Sequence, residues 1–449
     1  MAGACGRAQA PASKTAHPPA PPHIVLIVAD DLGWADVGYH NEEVRTPHID
    51  ALARAGVVLE RFYTQPVCTP TRAALLTGRH PIRYGMAYGP LKPWETSSLP
   101  PETPTLAEVL QSAGYATALV GKWHVGHSSR AAHPGARGFE RFYGCLQGAI
   151  DHLSHERAGA VDFQRDGVTV GDAGYDTDLF AAEAVRIIED HDPGRPLFLE
   201  LAFTSPHTPL QAPDELVAKY AQLPERRRLV CAMVEQMDAA IGRVRAALQR
   251  RGMDGNTLVF FCSDNGGARR DGGRNLPLNG GKATSFEGGI RVPALAHWPG
   301  RIEGGRTAAQ FMTALDLLPT LADAAGATLP AALDGRSMLA QLRGGEPLAR
   351  EDLFFCDQDD EGNYWHALIR MPWKLVRQDR ADGSVEQYLF DIAQDPTEKS
   401  DLAAGNPEVV SALAAAIAVW RAASPGEPPH SSEPPEGWKP PKDWAEPAR

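Results

Sequence analysis

Apolar positions along the chain fall into two textures. Short unbroken runs, such as His23-Ile24-Val25-Leu26-Ile27-Val28-Ala29, carry no polar face and predict parallel strands buried on both sides. Similar runs predict strands at residues 57–63, 116–120, 196–203 and 257–262. Between them lie stretches whose apolar residues recur every three or four positions, as helices with one buried face require. In residues 105–113, Leu106, Val109, Leu110 and Ala113 share a face and Gly114 ends it; residues 226–251 carry a longer stripe from Val230 to Leu248. Further helices are predicted at 46–56, 179–190 and 315–325. Strands alternating with helices predict an α/β fold with a large, mostly parallel sheet. From about residue 350 the runs shorten into a meander of strands at 352–356, 365–370, 373–377 and 387–391, followed by a helix near 407–422. The reading is a large α/β domain over 23–348 and a small α+β subdomain over 349–423 with an antiparallel sheet. An Ala/Pro-rich disordered tail at 1–22 and a Pro-rich, extended or disordered tail at 424–449 flank them.

Each of four predicted strands runs out into residues capable of chemistry. Asp30 and Asp31 follow the first, Lys122 and His124 the second, His207 the third, and Asp264-Asn265 the fourth. One Asp after a strand is commonly a turn. Four such endings share one edge of the sheet, where open α/β folds bind ligands. Asp30, Asp31, Asp264 and Asn265 offer only oxygen. Side by side, the carboxylates would raise one another's pKa unless a cation neutralises them. Oxygen ligands point to calcium or magnesium and exclude zinc; bidentate Asp and room for a substrate oxygen favour calcium. Arg72, Lys122 and Lys282, with His124 as a further candidate, would cradle a tetrahedral anion beside that ion. Lys282 lies in a glycine-rich loop, Asn279-Gly280-Gly281-Lys282, through which backbone can approach a ligand.

A twelve-residue stretch, Cys68-Thr69-Pro70-Thr71-Arg72-Ala73-Ala74-Leu75-Leu76-Thr77-Gly78-Arg79, reads as a helix start. Thr69 is the expected cap, Pro70 suits the first turn and Gly78 stops the helix. Cys68 then sits where the helix dipole favours negative charge, and Arg72 points back toward it one turn on.

Composition narrows the partners. The 449 residues carry a net charge of −12 and no basic run, which argues against nucleic acid. No apolar run is long enough to span a membrane. The six cysteines are scattered without a CxxC pair, which argues against disulfides and a zinc site. Residues 1–22 contain no apolar core of a signal peptide, so the chain as written is expected in the cytoplasm. A leader lost to a misassigned start would instead place it in the periplasm or outside the cell.

The Cys-x-Pro-x-Arg pattern with Leu76-Thr77-Gly78-Arg79 resembles the sulfatase signature. Ala29 to Trp34, Gly121-Lys122-Trp123-His124, Ser205-Pro206-His207, Ser263 to Gly267 and Lys282 with Phe286 to Arg291 look like successive motifs of that family, in order. Arg137-Gly138-Phe139, Tyr143-Gly144, Asp151 with Ser154-His155-Glu156, and Pro209 to Pro213 look most like the arylsulfatase B type, which acts on N-acetylgalactosamine 4-sulfate. The cysteine set and a shorter C-terminal region depart from that type.

The resemblance implies an alkaline-phosphatase-like fold and hydrolysis of a sulfate monoester, of an aryl alcohol or a sugar. It implies that a maturase converts Cys68 to formylglycine, whose hydrate is the nucleophile. Asp30, Asp31, Asp264, Asn265 and position 68 would bind calcium. Arg72 and His124 would hold the diol, Lys122 and Lys282 the sulfate, and His207 with Lys282 would protonate the leaving alcohol. The same architecture also serves phosphomonoester or phosphonate-ester hydrolysis, and with Cys68 unoxidised it would be an anion-binding module. His152 and His155 are open between a pocket role and an ordinary loop role.

Overall fold

A computed structural model describes residues 20–359, 361–426 and 433–446. His23–Ala29 lies at the centre of a ten-stranded sheet. It pairs in parallel with Leu197–Ala202 on one side and Thr257–Ser263 on the other. Ala116–Lys122 and Arg141–Cys145 continue the parallel set. Beyond Thr257–Ser263 the sheet adds Ala294–His297 antiparallel, then Val57–Leu59 and Arg306–Ala308; a hairpin of Gln164–Arg165 and Val168–Thr169 closes the other edge.

The unbroken apolar run of the first strand has its explanation in two cores. Ile24, Leu26 and Val28 pack with Leu75, Leu110 and Leu318; Val25, Ile27 and Ala29 pack with Ile49, Ile188 and Val234. Helices Cys68–Thr77, Leu106–Ser112 and Leu317–Ala325 supply the first core. Helices Pro47–Ala55, Asp176–Glu189 and Glu225–Arg250 supply the second. The α/β class with a mostly parallel sheet is therefore the observed one.

Two details differ from the sequence pattern. The expected strand over 57–63 divides: Val57–Leu59 joins the main sheet, whereas Phe62–Tyr63 pairs with Met312–Thr313 in a separate ribbon. Glu60 and Arg61 carry the chain between the two. The strands at Arg141–Cys145, Ala294–His297 and Arg306–Ala308 lack a strong local signal because their partners, not their own composition, hold them extended.

The C-terminal sheet is an antiparallel meander of Leu353–Gln358, Tyr364–Arg370, Trp373–Asp379 and Val385–Asp391. One face packs on Tyr63, Ile290 and Phe311 of the larger unit, and the other is covered by Leu413 and Ile417 of helix Pro407–Arg421. A buried lysine joins the units: Lys374 Nζ lies 2.9 Å from Glu287 Oε1 and 2.8 Å from Glu398 Oε1.

Most of the expected N-terminal tail, residues 1–19, lies outside the described residues, as do 427–432 and 447–449 of the C-terminal one. The part at 433–446 is neither strand nor helix; it turns at 435–438 and 443–446 and docks through its tryptophans. Trp438 meets Trp94 edge to face at 5.8 Å, and buried Trp444 donates from Nε1 to the Arg157 carbonyl at 3.0 Å. The five described cysteines are all free and buried.

Candidate functional site

The parallel register levels the carboxyl ends of the central strands. Ala29 lies beside Ser263, Val28 beside Ala202, and Ala202 beside Gly121. The residues that follow therefore meet. Asp264 Oδ1 accepts from the Asp31 backbone N–H at 3.2 Å, and Asn265 Nδ2 donates to Asp31 Oδ1 at 2.8 Å. Asp31 adopts a left-handed conformation, with φ of 65°.

Helix Cys68–Thr77 points its N-terminus at this edge, and all ten of its residues are buried. Its cap differs from expectation. Val67 is the N-cap and Cys68 the first helical residue. The Thr69 hydroxyl donates to the His124 carbonyl at 3.1 Å and accepts from the Leu91 N–H at 3.0 Å, tying two loops together rather than capping. Gly78, with φ of 65°, ends the helix as predicted, donating to the Ala74 carbonyl.

The expected cations each face an expected carboxylate. Lys122 Nζ is 2.7 Å from Asp30 Oδ2, and Lys282 Nζ is 2.8 Å from Asp31. Arg72 donates from Nε and Nη2 to Asp264 Oδ2 at 3.0 and 2.9 Å, and from Nη1 to the Lys122 carbonyl at 3.1 Å. His207 Nε2 stands 3.7 Å from Asp31 Oδ2. In this arrangement the cations are ion-paired with acids of the same nest.

Burial sets most of the proton affinities. It pushes Asp30 up to about 7 despite Lys122. On Asp31 burial acts upward too, but Lys282 and His207 outweigh it and hold the carboxyl well below the usual range. The same pairing raises Lys282 against its own burial. Burial also raises the Cys68 thiol, outweighing the neighbouring lysines, so position 68 as cysteine is a thiol and not a thiolate. His124 is pulled well below its ordinary value by burial and Lys122, and His207 down to about 3 by burial and Lys282.

Two buried oxygens, Asp30 Oδ1 and Asn265 Oδ1, have no hydrogen-bond partner among the described residues. One ligand atom each from Asp30, Asp31 and His207 lie within 4.8 Å of one another. Orphaned oxygens beside converging carboxylates fit a divalent cation, which would satisfy what no donor of the protein does.

Above the nest opens a cleft of about 980 Å³. Of the residues singled out in the sequence, Cys68, His124, His207 and Lys282 line it; Asp30, Asp31, Arg72, Lys122, Asp264 and Asn265 lie buried beneath. His124 Nε2 donates to the Leu91 carbonyl at 2.9 Å, so the neutral ring has Nδ1 as an acceptor, and that atom is buried without a partner. Gly148 packs so close that a Cβ there would lie 2.4 Å from His124 Cε1, a contact that only glycine permits.

His152 and His155 do not line the cleft. His152 bridges Asp176 Oδ2 at 2.9 Å and the His207 carbonyl at 3.1 Å, thereby holding the His207 loop. His155 stacks on Phe163 at 4.2 Å. Lining residues without a sequence signal are Lys92, Gly148, Arg157, Asp357 and Asp359, which come from loops, from the short strand Glu156–Arg157 and from the C-terminal sheet and its edge. The whole arrangement can bind a tetrahedral anion between cations and a divalent ion, with a reactive side chain at 68 beneath it.

Comparisons with known proteins show what the chain is similar to. A family model described as Sulfatase matches residues 22–327, and one described as N-sulphoglucosamine sulphohydrolase, C-terminal, matches 281–419. Arylsulfatase J of Mus musculus is 32% identical over 87% of this chain and 74% of its own length. Arylsulfatase A of Bos taurus is 37% identical over 75% of this chain and 70% of its own. Among solved structures, Ps i-CgsB in complex with k-i-k-neocarrahexaose superposes with a TM-score of 0.84 at 32% identity, covering 92% of this chain and 95% of that one.

Proposed function

Because the chain belongs to the sulfatase family and hydrolyses a sulfate monoester to an alcohol and inorganic sulfate, we propose that it does so with formylglycine at position 68, a divalent cation held by Asp30, Asp31, Asp264 and Asn265, and a sulfated saccharide as substrate. The observation that carries this reading is the position of Cys68: buried at the floor of the cleft, ringed by His124, His207 and Lys282, directly over the oxygen nest. The solved relative with a bound neocarrahexaose supports a saccharide. The cation would polarise sulfate oxygens and, by taking the carboxylates, leave Lys122 and Lys282 to the anion; calcium is the ion we favour. As an aldehyde hydrate, residue 68 offers one hydroxyl to attack sulfur and a geminal one whose deprotonation expels sulfate.

The chain's own groups have assignable tasks. Lys282 and Lys122 grip the sulfate oxygens. Arg72, pinned by Asp264 and the Lys122 carbonyl, fixes the first turn that carries residue 68. His124, with Nδ1 open, accepts the proton of the hydroxyl that expels sulfate. His207 donates from Nε2 to the leaving alcohol once the bound anion has favoured its protonated form.

The test compares protein made with and without a formylglycine-generating maturase. Mass spectrometry of the tryptic peptide ending at Arg72 reports the state of residue 68, alongside rates on 4-nitrophenyl sulfate and phosphate with and without chelator. Turnover of the sulfate is expected to track the aldehyde fraction and to vanish on chelation. Repeated turnover by protein whose Cys68 is wholly thiol, or a preference for phosphate, would overturn the reading.

A further inference from the structure

Arg157 sits at the end of a two-residue hairpin. Glu156–Arg157 pairs antiparallel with Ala160–Val161, and the intervening Ala158 and Gly159 have φ of 53° and 85°. Two consecutive left-handed residues make the tight turn whose twist matches the strands it joins. The hairpin is braced at both ends. The Asp151 N–H donates to the Glu156 carbonyl at 3.0 Å, and the Asp162 N–H to the His155 carbonyl at 2.9 Å. Trp444 of the docked C-terminal segment donates to the Arg157 carbonyl itself. The backbone beneath this guanidinium is thus held by three separate segments.

Among the described residues no carboxylate forms an ion pair with this guanidinium, whereas Arg72, Lys122 and Lys282 each have one. Arg157 lines the cleft together with Cys68 and lies within electrostatic reach of it. Its Nε is buried and has no hydrogen-bond partner among the described residues. Asp162, which acts on it electrostatically, has its oxygens engaged by the Leu146 and Gln147 N–H groups at 3.0 and 2.7 Å. A partly desolvated guanidinium without a partner is costly, and its planar fork matches a carboxylate or sulfate. With a net charge of −12, the protein as a whole repels anions, so an anionic ligand needs local cations such as this one.

We propose that Arg157 binds a second anionic group of the substrate, a carboxylate or a further sulfate on the saccharide whose scissile sulfate lies over residue 68. This rests on the sulfated-saccharide reading above and narrows it: the preferred substrate carries at least two negative groups.

The test measures kcat/KM of matured wild type, Arg157→Gln and Arg157→Lys on three disaccharides that share one scissile sulfate. One is otherwise neutral, one has a second sulfate, and one has a uronate. Wild type is expected to favour at least one doubly charged substrate over the neutral one by roughly 10- to 100-fold, the scale of a charge-assisted bidentate contact. Which arm responds identifies sulfate or carboxylate. Arg157→Gln is expected to collapse that ratio to about one, mainly through KM, and Arg157→Lys to restore part of it. As a check that needs no variant, the desulfated anionic disaccharide should inhibit wild-type turnover of 4-nitrophenyl sulfate at least tenfold more strongly than the neutral one. Equal wild-type rates on all three disaccharides, or a ratio unchanged in Arg157→Gln, overturn the proposal while leaving the sulfatase reading intact. Absence of turnover on every sulfate, nitrophenyl sulfate included, counts against the underlying reading instead.

Discussion

His207 is oriented by its neighbours through one nitrogen and addresses the site through the other. Nδ1 lies 2.7 Å from the Thr208 carbonyl and must carry a proton to bond there, so Nε2 is the free position, 3.7 Å from Asp31 Oδ2. Burial and Lys282 hold the ring neutral at pH 7 in this arrangement. A neutral ring of this tautomer accepts at Nε2; donating to a leaving alkoxide takes a second proton, which negative charge in the cleft favours. His207→Ala is therefore expected to slow sugar sulfates about 10²- to 10⁴-fold and 4-nitrophenyl sulfate far less, since nitrophenolate departs without a proton. Steady-state rates on both substrates decide it, and equal losses would remove His207 from the role of general acid.

At the scale of the element, the strand Leu197–Ala202 contains a charge that its apolar run does not explain. Glu200 lies level with Leu26 on one neighbour and Leu119 on the other, and its Oε2 is buried without a partner. Burial raises its pKa from 4.5 to about 7, and Arg72 offsets this only in part. The sign follows from proton uptake. Between about pH 4.5 and 7 the folded state holds a proton that the unfolded state has released, so stability falls as pH rises through that window. Above it the loss reaches about 3 kcal/mol, from 1.36 kcal/mol per pKa unit. Glu200→Gln is expected to flatten this slope and to melt higher than wild type at pH 8.5. Thermal unfolding at pH 5 and 8.5 checks it; parallel profiles for the two proteins would show that Glu200 is not the group responsible.

For the whole molecule, what matters is how the C-terminal sheet stays on the larger unit, because Asp357 and Asp359 reach the cleft from it. Tyr63, Ile290 and Phe311 supply the apolar contact, and Lys374 the polar one, buried between Glu287 and Glu398. Glu287 also accepts from the Tyr63 hydroxyl at 2.9 Å. Removing the lysine leaves two carboxylates buried together, a change that costs about 3–5 kcal/mol. Lys374→Ala is accordingly expected to lower Tm by several degrees and to open residues 343–352 to limited proteolysis before the rest of the chain. An unchanged Tm and cleavage pattern would mean that the apolar contact alone holds the sheet.

The sequence by itself determined the alternation of strand and helix, the apolar runs that become the central strands, and the chemical residues at their ends. These follow from local rules: a strand buried on both faces has no place for polar residues, and parallel strands bring their carboxyl ends to one edge. Hence Asp30, Asp31, Lys122, His124, His207, Asp264 and Asn265 could be brought together on paper, and the structure does place them side by side. What only the tertiary structure decided depends on distant partners. Thr69 looks like a cap until His124 and Leu91 claim its hydroxyl. Gly148 is an ordinary loop glycine until the His124 ring lies against it. His152 and His155 face Asp176 and Phe163 rather than the cleft. Arg157 is one charged residue among many until a hairpin and Trp444 fix its place in the cleft wall. Local pattern encodes which face of an element is buried, whereas the identity of a loop residue's neighbours is set only when segments far apart in sequence close on one another.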